Sequence, residues 1–151
     1  MRTESITSAQ NAKIKTLMEL QEKSKARRKE GLFVVEGRRE LEHCIASGYA
    51  VHTVFICKEI LGEDASRSVY GIIDKTEVSQ QRQCTIIEIP KPLYEKVAYR
   101  GSTEGVIAEL HCKEHRLENL ELKENPLVVI LESVEKPGNL GAVLRSADAA
   151  G

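Results

Sequence analysis

The stretch EKPGNLGAVLRSADAAG, Glu135 to Gly151, sets an amide and a guanidinium six positions apart behind a Pro-Gly turn. Asn139 offers both donors and an acceptor, whereas Arg145 offers only N–H donors on a group that stays protonated. Arg145 is therefore unsuited to take a proton. It is suited to hold a phosphate, or a negative charge developing on a reacting oxygen. Pro137 and Gly138 sharpen the turn, and Gly141 with Ala142 keeps the next helical turn bare, so that a backbone or a ligand can come close. Asn139 is expected to cap the helix it opens. The apolar face of that helix is Leu140, Val143, Leu144 and Ala147, and Arg145 falls off it. Glu132 and Glu135 flank the loop at its exposed rim. By spacing alone, an ordinary strand-to-helix turn with a surface arginine accounts for the pattern as well. Neither GxGxxG nor GxxxxGK[ST] is present to specify a nucleotide.

A second set of reactive positions is cationic. Lys23, Lys25, Arg27, Arg28 and Lys29 cluster in QEKSKARRKEG with almost no apolar anchoring. They read either as a solvated helix end or as a flexible arm for phosphates, each neutralised phosphate adding salt-sensitive affinity. Arg38 and Arg39 fall in the first turn of a helix, where the positive dipole end disfavours an exposed cation by up to about 1 kcal/mol. An anionic partner would remove that penalty, and so would Glu36, Glu40 and Glu42 at the surface. Tyr99 and Arg100, in YRGSTEG, form a pair that could stack an unpaired base and touch its phosphate; a packed tyrosine beside a solvated arginine is the alternative. Contacts of this kind position a nucleic acid without reading its sequence.

The elements that must hold these residues follow an α/β pattern. SAQNAKIKTLMEL predicts a helix from Ser8, its cap, with Ile14, Leu17, Met18 and Gln21 on one face. LFVVEG is a strand ending at Gly37, and RRELEHCIAS a helix with Leu41, Cys44 and Ile45 together and Gly48 as its stop. VHTVFIC, VYGIID, CTIIEI and EGVIAEL read as further strands, with helical stretches at Lys58–Glu63, Thr76–Gln83 and Pro92–Ala98. Such alternation predicts a mixed or largely parallel sheet. HCKEHRLENLELKENP is polar and closed by Pro126, and LVVILESV after it has the pattern of a buried strand. The expected division is a domain over 1–112 with a basic helix or arm at 8–30, a linker over 113–125, and the start of another domain over 126–151.

With 41% hydrophobic and 30% charged residues, the chain has the balance of a soluble globular protein. Its longest aliphatic run, Leu127 to Leu131, is far short of the roughly 20 residues of a membrane span. The start MRTESITSAQNAKIK lacks the apolar region of a signal peptide, so no membrane and a cytoplasmic location are expected. Cys44, Cys57, Cys84 and Cys112 form no Cys-x-x-Cys pair and read as buried free thiols. His111, Cys112 and His115 in HCKEH read as a strand end and a polar turn rather than a metal site. A net charge of -1 hides an asymmetry: residues 1–40 hold ten Lys and Arg against six Asp and Glu, and residues 41–151 hold twelve against seventeen. A local basic surface on a mildly acidic protein makes RNA or DNA a candidate partner.

EKPGNLGAVLRSADAAG resembles the first signature motif of the SpoU, or TrmH-like, RNA ribose 2'-O-methyltransferases, with Pro137, Gly138, Asn139, Gly141, Arg145, Ala147 and Gly151 in register. ITSAQNAKIKTLMEL, LFVVEGRRELEHCIASG and STEGVIAEL resemble the amino-terminal substrate-binding region of that family. The resemblance implies a small α/β/α domain similar to the L30e/L7Ae ribosomal-protein fold. This would be followed by the first β-loop-α of a SPOUT domain, a knotted α/β fold, with the chain stopping before the knot. It also implies transfer of a methyl group from S-adenosylmethionine to a ribose 2'-hydroxyl, of ribosomal rather than transfer RNA, with Asn139 and Arg145 at the active site. Lys23, Lys25, Arg27, Arg28, Lys29, Arg38, Arg39 and Arg100 are the expected RNA contacts. The family's later motifs, which build most of the donor pocket, are absent from these residues, so this chain is expected to bind RNA, not to bind the donor, and to be inactive. Family dimers form through the catalytic domain, so a homodimer is expected of the intact enzyme and this chain could be monomeric. Two other readings stand beside this one: a stand-alone RNA-binding protein of the L30e/L7Ae type, and a small-molecule α/β enzyme using the Asn139–Arg145 loop, the latter without an acid, base or nucleophile to support it.

Overall fold

VHTVFI and VIAELH carry the β-branched and apolar residues that a buried strand needs, and they form the centre of a five-stranded sheet. The computed structural model describes residues 2–80, 83–99, 104–122 and 124–150. In chain order it contains β1 (Arg2–Ser5), α1 (Ala12–Glu22), α2 (Ser24–Glu30), β2 (Leu32–Glu36), α3 (Arg38–Ala46), β3 (Val51–Ile56), α4 (Lys58–Leu61) and α5 (Glu63–Gln80). There follow β4 (Thr85–Glu88), α6 (Lys91–Val97), β5 (Val106–His111), a 3-10 turn at Leu117–Asn119 and α7 (Pro137–Ala150).

The sheet runs in the order β1-β4-β3-β5-β2. β4 pairs in parallel with β1 and β3, while β5 pairs antiparallel with β3 and β2. It is therefore mixed. Because strand side chains alternate between faces, the sheet separates two cores. One collects Ile14 and Leu17 of α1, Phe55, Ile87, Ile107, and Leu93 and Tyr94 of α6. The other collects Leu41 of α3, Val54, Ile86, Ala108, and Val69 and Ile73 of α5. Each fully buried aliphatic side chain contributes about 1.5–3 kcal/mol, and Leu, Ile and Val make up most of both layers.

Several local expectations change. α1 starts after Asn11, whose side chain accepts from the Lys13 N–H at 2.9 Å, whereas the Ser8 hydroxyl accepts from the Gln10 N–H in the turn before it. Asn11, not Ser8, is the cap. The basic segment is not a flexible arm but the helix α2, closed by Gly31 in the left-handed region at φ 63°. VYGIID is not a strand: it lies within α5, where the buried Ser66, Val69, Ile73 and Thr76 recur at helical spacing. RTES, too polar to signal a strand, becomes β1 because β4 supplies a parallel edge for it. Of the thiols, Cys57 and Cys84 are buried, Cys44 is half-buried and Cys112 is exposed.

The chain divides into two compact units, residues 1–114 and 115–151. The first holds the sheet and both cores. In the second, residues 126–136 form no strand. A strand is held by a partner's backbone, and among the described residues none pairs with this segment, so Leu127 to Leu131 are exposed.

Candidate functional site

α7 begins one residue after Lys136, whose carbonyl accepts the Leu140 N–H at 3.4 Å and also the Asn139 N–H at 2.9 Å. The helix therefore opens at Pro137, where the missing N–H costs nothing, and Asn139 sits inside the first turn. This corrects the expectation that Asn139 is its cap. Asn139 instead lines a shallow hollow of about 340 Å³ together with Glu132, Ser133, Val134, Glu135 and Lys136. Ser133 adopts φ 54°, a left-handed conformation uncommon for a residue with a Cβ, and so bends the chain into this loop.

Arg145 lies six residues along the same helix, about 9 Å further along the axis and about 120° around it. Its guanidinium folds back over Gly141, where a Cβ would stand 3.4 Å from Nη1. A glycine at that point leaves the helix face open to the arginine. Asn139 and Arg145 thus occupy one helix without sharing the hollow. Leu140 and Leu144, expected on a buried face, are 42% and 59% exposed. The Gly151 of the quoted motif lies outside the described residues.

In the first unit, the cations divide by what they touch. Arg27, half-buried, donates from Nη1 to the carbonyls of Leu20 and Gln21 at 2.7 and 3.1 Å, satisfying the carboxyl end of α1. Lys23 pairs with Glu19 at 3.1 Å, and Lys29 with Glu30 at 3.2 Å. Arg38 pairs with Glu42 at 2.8 Å, one turn on along α3. Lys25, Arg28 and Arg39 are exposed and have no ion pair among the described residues. The surface balance expected for both arginines of α3 holds only for Arg38.

Tyr99 is 84% exposed, so it is not a packed tyrosine; its N–H donates to a Glu36 carboxylate oxygen at 2.8 Å. Arg100 lies outside the described residues. His111 ends β5 and meets the ring of His52 edge-on, with ring centres 5.3 Å apart. His52 Nδ1 lies 3.3 Å from the buried Glu109 carboxylate and 2.8 Å from the Thr53 hydroxyl.

One polar cluster gives no signal in the sequence. At the carboxyl ends of β3 and β4, Lys58 donates to Glu88 at 2.6 Å, and the Tyr70 hydroxyl donates to the same carboxylate. These two hydrogen bonds, Lys58 first, hold the Glu88 carboxyl below its ordinary value. Burial, and then the adjacent carboxylate, push the Tyr70 phenol up. The three residues come from β4, α4 and α5, and only the fold brings them together.

A family model described as MRM3-like substrate binding domain matches residues 11–108. The chain is 30% identical over 146 residues to the 23S rRNA (guanosine(2553)-2'-O)-methyltransferase RlmP of Bacillus subtilis (strain 168), covering 97% of this chain and 51% of that protein. It is 34% identical over 118 residues to the 23S rRNA (guanosine-2'-O-)-methyltransferase RlmB of Yersinia pestis, covering 68% of this chain and 47% of that protein. Among solved structures, one described as an RNA 2'-O ribose methyltransferase superposes with a TM-score of 0.69 at 31% identity, over 98% of this chain and 53% of that one. The SpoU methyltransferase AviRb from Streptomyces viridochromogenes, in complex with the cofactor AdoMet, shares the fold with a TM-score of 0.74 at 22% identity, over 94% of this chain and 51% of that one. The chain spans about half the length of the curated relatives it matches.

Proposed function

Because the chain belongs to the SpoU/TrmH-like family of RNA methyltransferases, with an MRM3-like substrate binding domain over residues 11–108, we propose that it serves transfer of a methyl group from S-adenosylmethionine to a ribose 2'-hydroxyl of ribosomal RNA. The observation that carries this reading is the 30% identity over 97% of the chain, which runs through both units rather than one. Residues 1–112 are the RNA-binding domain, of the L30e/L7Ae type; 113–125 are a linker; 126–151 open a SPOUT catalytic domain through which the intact enzyme dimerises in the cytoplasm.

Lys25, Arg28 and Arg39, which have no ion pair among the described residues, are the first phosphate contacts. Lys23, Lys29 and Arg38 join them by exchanging a surface carboxylate for a phosphate, at little cost because exposed ion pairs are worth about 0–1 kcal/mol. Arg27 holds α1 and α2 together beneath them, and Arg100 and Tyr99 add a phosphate contact and a base stack. Arg145 keeps its proton, orients a phosphate of the RNA, and stabilises the charge that grows on the ribose oxygen as its hydroxyl proton leaves. Asn139 orders the loop that faces it.

The loop's hollow is open, and every described side chain lining it is exposed. A ligand the size of S-adenosylmethionine needs walls that bury most of it. The residues present do not fit the donor as a pocket, so the 151 residues by themselves are expected to bind RNA without turnover.

The test uses the full-length enzyme and a donor with a labelled methyl group. The label is expected in a ribose 2'-O-methyl nucleoside after RNA digestion. Arg145→Ala is expected to lower kcat by about 10²–10³ with RNA affinity unchanged; normal turnover in that variant would remove Arg145 from its role.

A further inference from the structure

β2 is an edge strand: β5 pairs with one side of it and, among the described residues, no strand pairs with the other. The Cys112 N–H donates to the Gly31 carbonyl and the Gly37 N–H to the Val106 carbonyl, at either end of the β2–β5 ladder. Antiparallel alternation between those two bonds turns the backbone groups of Phe33 and Val35 toward β5 and the N–H and C=O of Val34 outward. Unpaired edge groups of this kind are a template for another extended chain.

A groove of about 630 Å³ follows that edge, floored by Phe33 to Glu36 and walled by Leu20, Glu40, Tyr99 and Glu104. Side chains of successive strand residues point to opposite faces. Four successive residues line one groove only when the groove runs along the backbone itself, which suits an extended occupant. Among the described lining residues, Glu36, Glu40 and Glu104 face one guanidinium, Arg27, which is committed to the carbonyls that end α1. Glu40 and Glu104 have no ion pair among the described residues, and both reach over Gly37: a Cβ placed there would meet Glu40 Oε2 at 2.2 Å and Glu104 Oε2 at 3.4 Å. Ammonium and guanidinium groups are drawn to these carboxylates.

We propose that this groove docks an extended, cationic polypeptide segment of a partner protein. The segment adds a strand to β2 through the outward N–H and C=O of Val34. It sets Lys or Arg side chains against Glu40 and Glu104.

The experiment titrates a short synthetic peptide of alternating lysine and valine into the 151-residue chain and follows backbone amide exchange by NMR. Exchange of the Val34 amide is expected to slow. Affinity is expected to fall about tenfold or more in Glu40→Lys/Glu104→Lys, and an alternating glutamate–valine peptide should not bind. Both substituted positions are exposed, and circular dichroism confirms that the variant is folded. Val34→Pro removes the outward N–H without touching the ladder and is expected to abolish peptide binding while RNA binding persists. Undiminished binding to the double variant, an unprotected Val34 amide, or a single-stranded oligonucleotide that displaces the peptide and protects that amide would each overturn the proposal.

Discussion

Arg27 commits its guanidinium to the carbonyls that end α1, while Arg28, next to it in the chain, faces solvent. The two should separate on substitution. Arg27→Ala is expected to lower the unfolding free energy by about 1.5–3 kcal/mol, the usual value of hydrogen bonds from a charged group, measured by denaturant titration. Lys25→Gln with Arg28→Gln should leave stability unchanged and reduce the slope of log affinity for single-stranded RNA against log salt by about 0.7 for each phosphate no longer neutralised. An unaltered slope would take α2 out of the RNA surface. Nothing in KARRKE distinguishes the two arginines, because the division depends on where α1 ends. Glu88 makes a prediction in pH. Its folded-state value lies below the ordinary 4.5, so the stability it contributes is present above 4.5 and is lost as pH falls through the folded value. Glu88→Gln should therefore lose less stability than the parent between pH 4.5 and the acid transition, as seen by thermal unfolding across that range.

The strand-to-helix unit from β2 to α3 is legible in the sequence because its apolar period switches from two to about four at a glycine, and β3, β4 and β5 are legible as short runs of β-branched residues. VYGIID misleads because six residues of mixed apolar character fit either period. The longer spacing from Ser66 to Thr76 resolves it into α5. β1 is invisible, since its residues have strand character only opposite β4, and LVVIL has the composition of a strand without the neighbour that makes one. Asn139 and Arg145 are legible as residue types, whereas their division between the hollow and the Gly141 face follows from where the helix starts. The junction of β5 with α4 is close-packed. Gly105 stands at φ +70°, and a Cβ there would meet the Leu61 nitrogen at 2.7 Å and the Cys57 carbonyl at 3.0 Å. Its own carbonyl accepts the Cys57 N–H at 2.9 Å. Gly105→Ala should cost roughly 2–4 kcal/mol, from left-handed strain together with overpacking, and lower Tm accordingly. A Tm equal to the parent's would show that the junction yields.

At the scale of the molecule, the buried core residues among those described all lie between Ile6 and Leu110, while residues 112–122 and 124–136 are exposed. Limited proteolysis should cut within this exposed stretch and leave a resistant fragment ending near residue 112, since cleavage needs accessible backbone; early cuts within β3 or β5 would contradict that division. The charge asymmetry is legible at this scale, because counting needs no fold. The groove beside β2 is not, because its carboxylates come from two stretches of chain far apart in sequence. The strand order carries a further consequence. β5 is the last strand of this sheet to leave the ribosome, yet it lies between β3 and β2, which are made long before it. Until residues 106–111 emerge, β2 has no partner and the two halves of the sheet cannot join. Assembly of this unit during translation therefore waits for its final strand, and the loop that must close, from β2 to β5, makes that joining slow.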